Sequence, residues 1–222
     1  KIIKSKIEST DKNKICGFVG DLTNMETSFI FKEFFDRTID IDNYESRSSQ
    51  SFIDTTTREN YLFNSTINGI EESDLVLLIG TNPRYEATIL NARIRKSFLK
   101  NKIKIYSVGN PGDITYPYEI IGEDTLVIKD IVENNHFLSD QIRTSKRPMI
   151  IIGESALSSK DSEYIFESLK KFLFENNKIK AEWNSLNVLM QNASTVGAID
   201  LGLYKINNKS NNEVLDNLKI NN

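Results

Sequence analysis

The sequence predicts an α/β fold in which a mostly parallel sheet carries helices on both faces. Three observations lead there. Residues 74–79, DLVLLI, form an apolar stretch of strand length without polar alternation, as a strand covered on both faces requires. The stretch stops at Gly80-Thr81-Asn82-Pro83 and resumes with helical spacing, Asn82 suiting the N-cap and Pro83 the first helical position. Further strands are predicted at 103–108 and, as a second apolar run, at 149–152, separated by segments long enough for helices. In open α/β sheets the crevice beyond the carboxyl end of such a strand is where ligands bind.

Along the chain, residues 15–19 predict the first strand, ended by Gly20-Asp21, and a helix follows over 25–36 with Asn24 as its cap. Ile30, Phe31, Phe34 and Phe35 give that helix an apolar stripe, read as core. Residues 39–44 predict a short strand, 46–57 a polar loop rich in Ser and Thr, and 60–66 a short helix. The strand at 74–79 leads into a helix over 84–99, on which Ala87, Leu90, Ile94 and Phe98 share one stripe and should face the sheet. Residues 103–108 give the next strand, closed by Gly109-Asn110-Pro111-Gly112. A further strand at 126–128, a helix over 129–144 and a buried strand at 149–152 closed by Gly153 complete the middle of the chain. Residues 162–174 form an amphipathic helix, and a last helix runs from 187 towards 199. This alternation implies a Rossmann-like sheet in one domain over 15–204. Residues 1–14 are expected as a flexible or docking segment, and 205–222 as an Asn-rich linker and tail ending in a weak strand at 214–220.

Several segments carry a family resemblance. Residues 58–96 read RENYLFNSTINGIEESDLVLLIGTNPRYEATILNARIRK; then come Gly112-Asp113-Ile114-Thr115-Tyr116, the run KRPMIIIG at 146–153, WNSLNVL at 183–189 and AIDLG at 198–202. In this order they resemble the molybdopterin-oxidoreductase-like domain of the large iron–sulfur subunit of respiratory complex I, NADH:ubiquinone oxidoreductase. The resemblance is collinear over residues 15–204. It implies the molybdopterin oxidoreductase (formate dehydrogenase-like) fold, kept as a non-catalytic scaffold with no cofactor in this chain. It further implies iron–sulfur clusters held in an N-terminal part or a partner subunit, and contact with other peripheral-arm subunits. The implied location is the matrix side of the mitochondrial inner membrane, and the abundance of Asn, Ile and Lys suits an AT-rich organellar genome. Two other readings stand beside it: a cofactor-binding fragment of a molybdopterin-dependent oxidoreductase, and a nucleotide-binding module.

Composition narrows the chemistry. With 222 residues, a net charge of −3 and a pI near 5.4, the chain shows no basic footprint for nucleic acid and no stretch of membrane-spanning length. The lone Cys16 makes no internal disulfide, zinc site or Cys-ligated cluster by itself, and it reads as a buried small apolar residue. His136 is the single histidine, so neither a His-based metal site nor a triad is supported. Gly153-Glu154-Ser155-Ala156 lacks the second glycine of a nucleophile elbow, and neither a Walker loop nor GxGxxG is present. No catalytic or metal residue is therefore assigned. The remaining candidates are the vestigial crevice residues Gly80, Thr81, Asn82 and Arg84, which would meet a nucleotide or anion. Against them, Arg84, Asn91 and Arg95 share one side of the 84–99 helix, and Glu86 lies seven residues before Arg93 as an internal partner for its charge. The basic residues are accordingly read chiefly as structural ion pairs or a subunit contact.

Overall fold

The computed structural model describes residues 1–20, 22–46 and 51–204. The chain divides into two units, one from residues 1–50 and 192–222, the other from residues 51–191. The linker and strand expected within 205–222 lie outside the described residues.

In the first unit, the expected flexible segment holds helix α1 (Ile2–Ser9) and a 3-10 turn (Lys12–Lys14). Strand β1 (Gly17–Phe18) is shorter than the expected 15–19. Helix α2 (Met25–Glu33) starts where the Asn24 side chain accepts from the Thr27 N–H at 2.9 Å. It continues as a π-helical stretch, Phe34–Ile39, which ends at Asp40 in the left-handed region. Strand β2 (Tyr44–Glu45) is what remains of the strand expected at 39–44, and it pairs parallel to β1.

The second unit carries the main sheet. Strand β3 (Leu75–Ile79) is buried at every position, as its unbroken apolar sequence demands. The helix expected over 84–99 is two: α3 (Pro83–Glu86) and α4 (Thr88–Asn101), with Ala87 at φ −151° between them. Leu90 and Ile94 face the sheet as expected, with Ala87 and Phe98 partly buried beside them. Strand β4 (Lys104–Val108) follows. The strand β5 (Glu119–Gly122) is not foreseen from sequence, being short, exposed at Glu119 and Ile120, and at the sheet's edge. The strand expected at 126–128 is instead helix α5 (Thr125–Val132): Asp124 accepts from the Leu126 N–H at 3.0 Å, and this cap overrides the β-propensity of Leu-Val-Ile. The helix expected over 129–144 breaks at Asn134, which has φ +66°, and restarts as α6 (Phe137–Thr144), where His136 Nδ1 accepts from the Leu138 N–H. The single histidine is a helix cap.

Strand β6 (Pro148–Gly153) is followed by the short α7 (Glu154–Leu157) and the amphipathic α8 (Ser162–Glu175). A small hairpin, β7 (Ile179–Lys180) with β8 (Trp183–Asn184), precedes β9 (Leu186–Leu189). The helix expected from 187 to 199 therefore does not form there; only α9 (Thr195–Asp200), in the first unit, is helical. Asn187 disguises β9 in the sequence. It is fully buried, takes the Ser65 N–H on its carbonyl and donates to the Ser65 hydroxyl, so its amide is satisfied by a segment 122 residues away. The helix expected at 60–66 is replaced by 3-10 turns at Arg58–Tyr61 and Asn68–Glu72.

The five strands run parallel in the order β5-β4-β3-β6-β9. One face packs Leu75, Leu77, Ile150 and Ile152 against α5, α6 and α8; the other packs Val76, Leu78, Met149 and Ile151 against α4 and residues 114–116. Helices on both faces are what the sequence predicts.

Asp54 secures the entry to this unit. It takes the Thr56 N–H and hydroxyl, the Asn60 amide at 2.7 Å and the Lys170 ammonium at 2.9 Å. Burial alone would raise its pKa, but the Thr56 donors and Lys170 outweigh it and hold the carboxyl below its ordinary value. A carboxylate depressed in the folded state stabilises above its unfolded pKa and loses that stabilisation as pH falls through the folded one. Asp54→Asn should therefore lower stability at neutral pH and flatten the acid limb of the stability curve. Urea denaturation across pH 3 to 7, roughly the carboxylate range, would test this: an unchanged acid limb would refute it.

Candidate functional site

The chain order turns back between β3 and β6: β4 and β5 lie on one side, β6 and β9 on the other. Ligands of open α/β sheets enter at this point. Here a cavity of about 260 Å³ opens among Gly80, Thr81, Asn82, Glu86, Ser107–Pro111 and Ser155. Three of the four sequence candidates, Gly80, Thr81 and Asn82, line it; Arg84 does not.

The two turns flanking the switch point leave no gap between them. A Cβ on Gly80, which sits at φ +57°, would meet the Ala156 nitrogen at 2.6 Å. One on Gly153 would meet the Gly80 carbonyl oxygen and the Thr81 Cβ, both at 2.5 Å. The cavity is thereby displaced towards the turn after β4. Its volume falls just below the roughly 300–1,000 Å³ of clefts that enclose small molecules.

The polar groups that would greet an anion already hold one. Glu86 accepts the Thr81 hydroxyl at 2.6 Å through one carboxylate oxygen and the Asn82 N–H at 2.8 Å through the other. The Asn82 side chain accepts from the Arg84 N–H at 3.0 Å and donates to the Pro111 carbonyl at 2.5 Å, tying the turn after β3 to the turn after β4. Arg84 points to Asp113, bonding its carboxylate at 2.5 Å and its carbonyl at 3.1 Å. Asp113 is held below the ordinary carboxylate range, first by the Thr115 N–H and then by Arg84.

Two further basic residues are ion-paired, with a correction. Glu86 does not partner Arg93; Glu71 does, at 2.5 Å, and it also takes Lys96 at 2.9 Å. Glu86 and Arg93 stand on either side of the Ala87 break, so heptad spacing does not bring them together. Arg84, Asn91 and Arg95 do act on one side as expected. They bond Asp113, the Ile114 carbonyl at 3.1 Å and the Thr115 carbonyl at 3.3 Å, gripping three successive residues. Glu86's role, Asp113 and the 107–111 wall were not identified from sequence as parts of the site. The one available signal was Glu86 four residues after Asn82, at a spacing close to that of a capping box.

A larger cavity, about 670 Å³, lies between the Asn68–Glu72 turn and the β7–β8 hairpin, with Glu59, Glu72, Lys180 and Glu182 among its lining residues. Trp183 lines it too, and its indole donates to the Pro148 carbonyl at the start of β6. Among the described residues no group of three or more His, Cys, Asp or Glu side chains could hold a metal ion, and no helix is long and apolar enough to cross a membrane.

A family profile described as Molybdopterin oxidoreductase matches residues 1–221. The NADH-ubiquinone oxidoreductase 75 kDa subunit of Reclinomonas americana is 38% identical over 232 residues, covering 99% of this chain and 33% of the relative. A subunit of the NADH-quinone oxidoreductase of Rickettsia bellii is 34% identical, covering 91% of this chain and 30% of the relative. The mitochondrial NADH-ubiquinone oxidoreductase 78 kDa subunit of Candida albicans is 41% identical, covering 65% and 20%. The chain spans about a third of the length of the first of these relatives.

Two substitutions test the geometry of the crevice. Glu86→Ala strands the Thr81 and Asn82 donors and should cost about 1–3 kcal/mol, with Glu86→Gln, which keeps an acceptor, losing less. Equal losses for both in urea titration would show that the carboxylate does not hold the turn. Gly153→Ala forces a methyl into the Thr81 turn and should destabilise by about 1–3 kcal/mol; a neutral result would mean the turns are free to part.

Proposed function

The chain belongs to the molybdopterin oxidoreductase family, and on that footing we propose that it is a structural, non-catalytic domain of a peripheral-arm subunit of respiratory complex I. It supports electron transfer from NADH to ubiquinone that clusters on other segments or chains carry out. The family's eponymous cofactor bears phosphate, and the residues at the switch point do not suit it. The observation that carries the reading is the Glu86 carboxylate seated on Thr81 and Asn82, where a phosphate would otherwise draw those donors. An anion arriving there meets a negative charge and finds its donors already satisfied. The abutting Gly80 and Gly153 turns add a steric obstacle.

On this reading the chain contributes shape and contact, beside the cluster-bearing portion of the same subunit. Its working location is the matrix face of the mitochondrial inner membrane. The names of the relatives support membership in NADH–quinone oxidoreductase, and the mitochondrial Candida relative supports the location.

Two measurements test the proposal. A tagged chain purified gently from its own cells should bring down flavin- and cluster-containing subunits of NADH–ubiquinone oxidoreductase; recovery alone, as a stable monomer, would count decisively against it. In the same preparation, phosphate, ATP or GTP should leave the melting temperature of the tagged chain unmoved. A dose-dependent rise would instead favour the nucleotide-binding reading.

A further inference from the structure

Helix α2 presents the wrong face to solvent. Its buried residue is Ser28, whereas Met25, Phe29 and Ile30 are 48%, 50% and 66% exposed. Leu22, just before the helix, is 82% exposed, and Phe34, one turn beyond Ile30, is 38% exposed. Met25 with Phe29, and Ile30 with Phe34, are four apart, so they form two adjacent rows on one side. Helix α8 does the opposite, burying Ile165, Phe166, Leu169, Phe172 and Leu173.

The exposed rows are not a by-product of loose packing. The inner side of α2 is filled: Gly17 of β1 lies so close to the Phe31 and Phe35 rings that a Cβ there would collide with both. Ser28, Phe31 and Phe35 follow each other at helical spacing along that inner side. Two acidic residues share the outward side: Glu26, exposed three and four residues before Phe29 and Ile30, and Glu33, which is paired with Arg37 at 2.7 Å. Around them, Leu22, Met25, Phe29, Ile30 and Phe34 put five large apolar side chains outward within residues 22–34. Contiguous apolar surface of this kind marks an interface.

We infer that this outward face of α2, with Leu22 and Phe34, is where the chain docks on the remainder of its subunit. That remainder is the polypeptide corresponding to the roughly two-thirds of the Reclinomonas relative that this chain does not span. The occupant follows from length and chemistry together. The relative carries this whole segment along with twice as much chain again, and a face built mainly of large apolar side chains calls for an apolar polypeptide surface. The inference rests on the complex I reading above and specifies the surface through which it operates.

The test uses the full chain carrying Phe29→Lys and Ile30→Lys together. The isolated variant should keep the wild-type melting temperature, because both positions are exposed. In native purification it should recover at least about tenfold less of the remaining 75 kDa-type polypeptide than wild type does. Equal recovery by both would overturn the docking surface while leaving the complex I reading intact; failure of wild type to recover any respiratory subunit would overturn that reading itself. A lowered melting temperature in the isolated variant would mean the face is covered within the chain, and a wild-type homodimer broken by the variant would assign it to a second copy. Either result sinks the inference. As an independent readout, Ile30→Cys should react freely with maleimide in the isolated chain and at least about tenfold more slowly in the assembled complex. Equal rates in the two states would also overturn it.

Discussion

Strands β3 and β6 are paired from Leu75–Pro148 to Ile79–Ile152, and the turns that follow them stay in contact beyond the last pair. Gly80 and Gly153 make that contact possible, since neither position has room for a methyl group. The consequences spread outward. The switch point closes, the cavity shifts towards the turn after β4, and α3 starts close enough to Thr81 for Glu86 to reach back. A ligand site in an open α/β sheet depends on these two turns standing apart. Here the turns touch, and the cavity at this point is walled by residues 107–111 after β4.

The same logic governs the basic residues of α3 and α4. Five cationic or amide side chains along those helices are engaged by partners within the unit. Arg84, Asn91 and Arg95 hold the loop at 113–115, while Arg93 and Lys96 share Glu71. The Glu71 carboxyl is held below its ordinary value, by Lys96 first and then Arg93. The segments that carried the family resemblance hold one another together. Asp74 accepts the Lys146 and Arg147 N–H groups, Trp183 bonds the Pro148 carbonyl, and Asn187 pins Ser65. Helix α8 differs from α2: it buries Ile165, Phe166, Leu169, Phe172 and Leu173, whereas α2 leaves Met25, Phe29 and Ile30 facing out.

Much of this architecture was readable from local pattern. The buried character of β3 and β6, the Asn82 and Asn24 caps, Pro83 opening a helix, the Leu90–Ile94 stripe and the crevice residues Gly80, Thr81 and Asn82 all follow from short-range spacing. The errors have two causes, one local and one distant. Residues 126–128 look like a strand until Asp124 caps them into α5, and 187–189 look unlike a strand until Ser65 satisfies the buried Asn187.

What the sequence alone determined is therefore the class of fold, the centre of its sheet and the place where a ligand would be sought, because each depends on residues within one or two turns of each other. Tertiary structure decided the rest: that Glu86 takes the Thr81 and Asn82 donors in the crevice, that Glu71 and not Glu86 takes Arg93, and that α2 leaves Met25, Phe29 and Ile30 outside. Those outcomes rest on distances between segments far apart in the chain, or on a backbone break such as that at Ala87, and no periodicity records either.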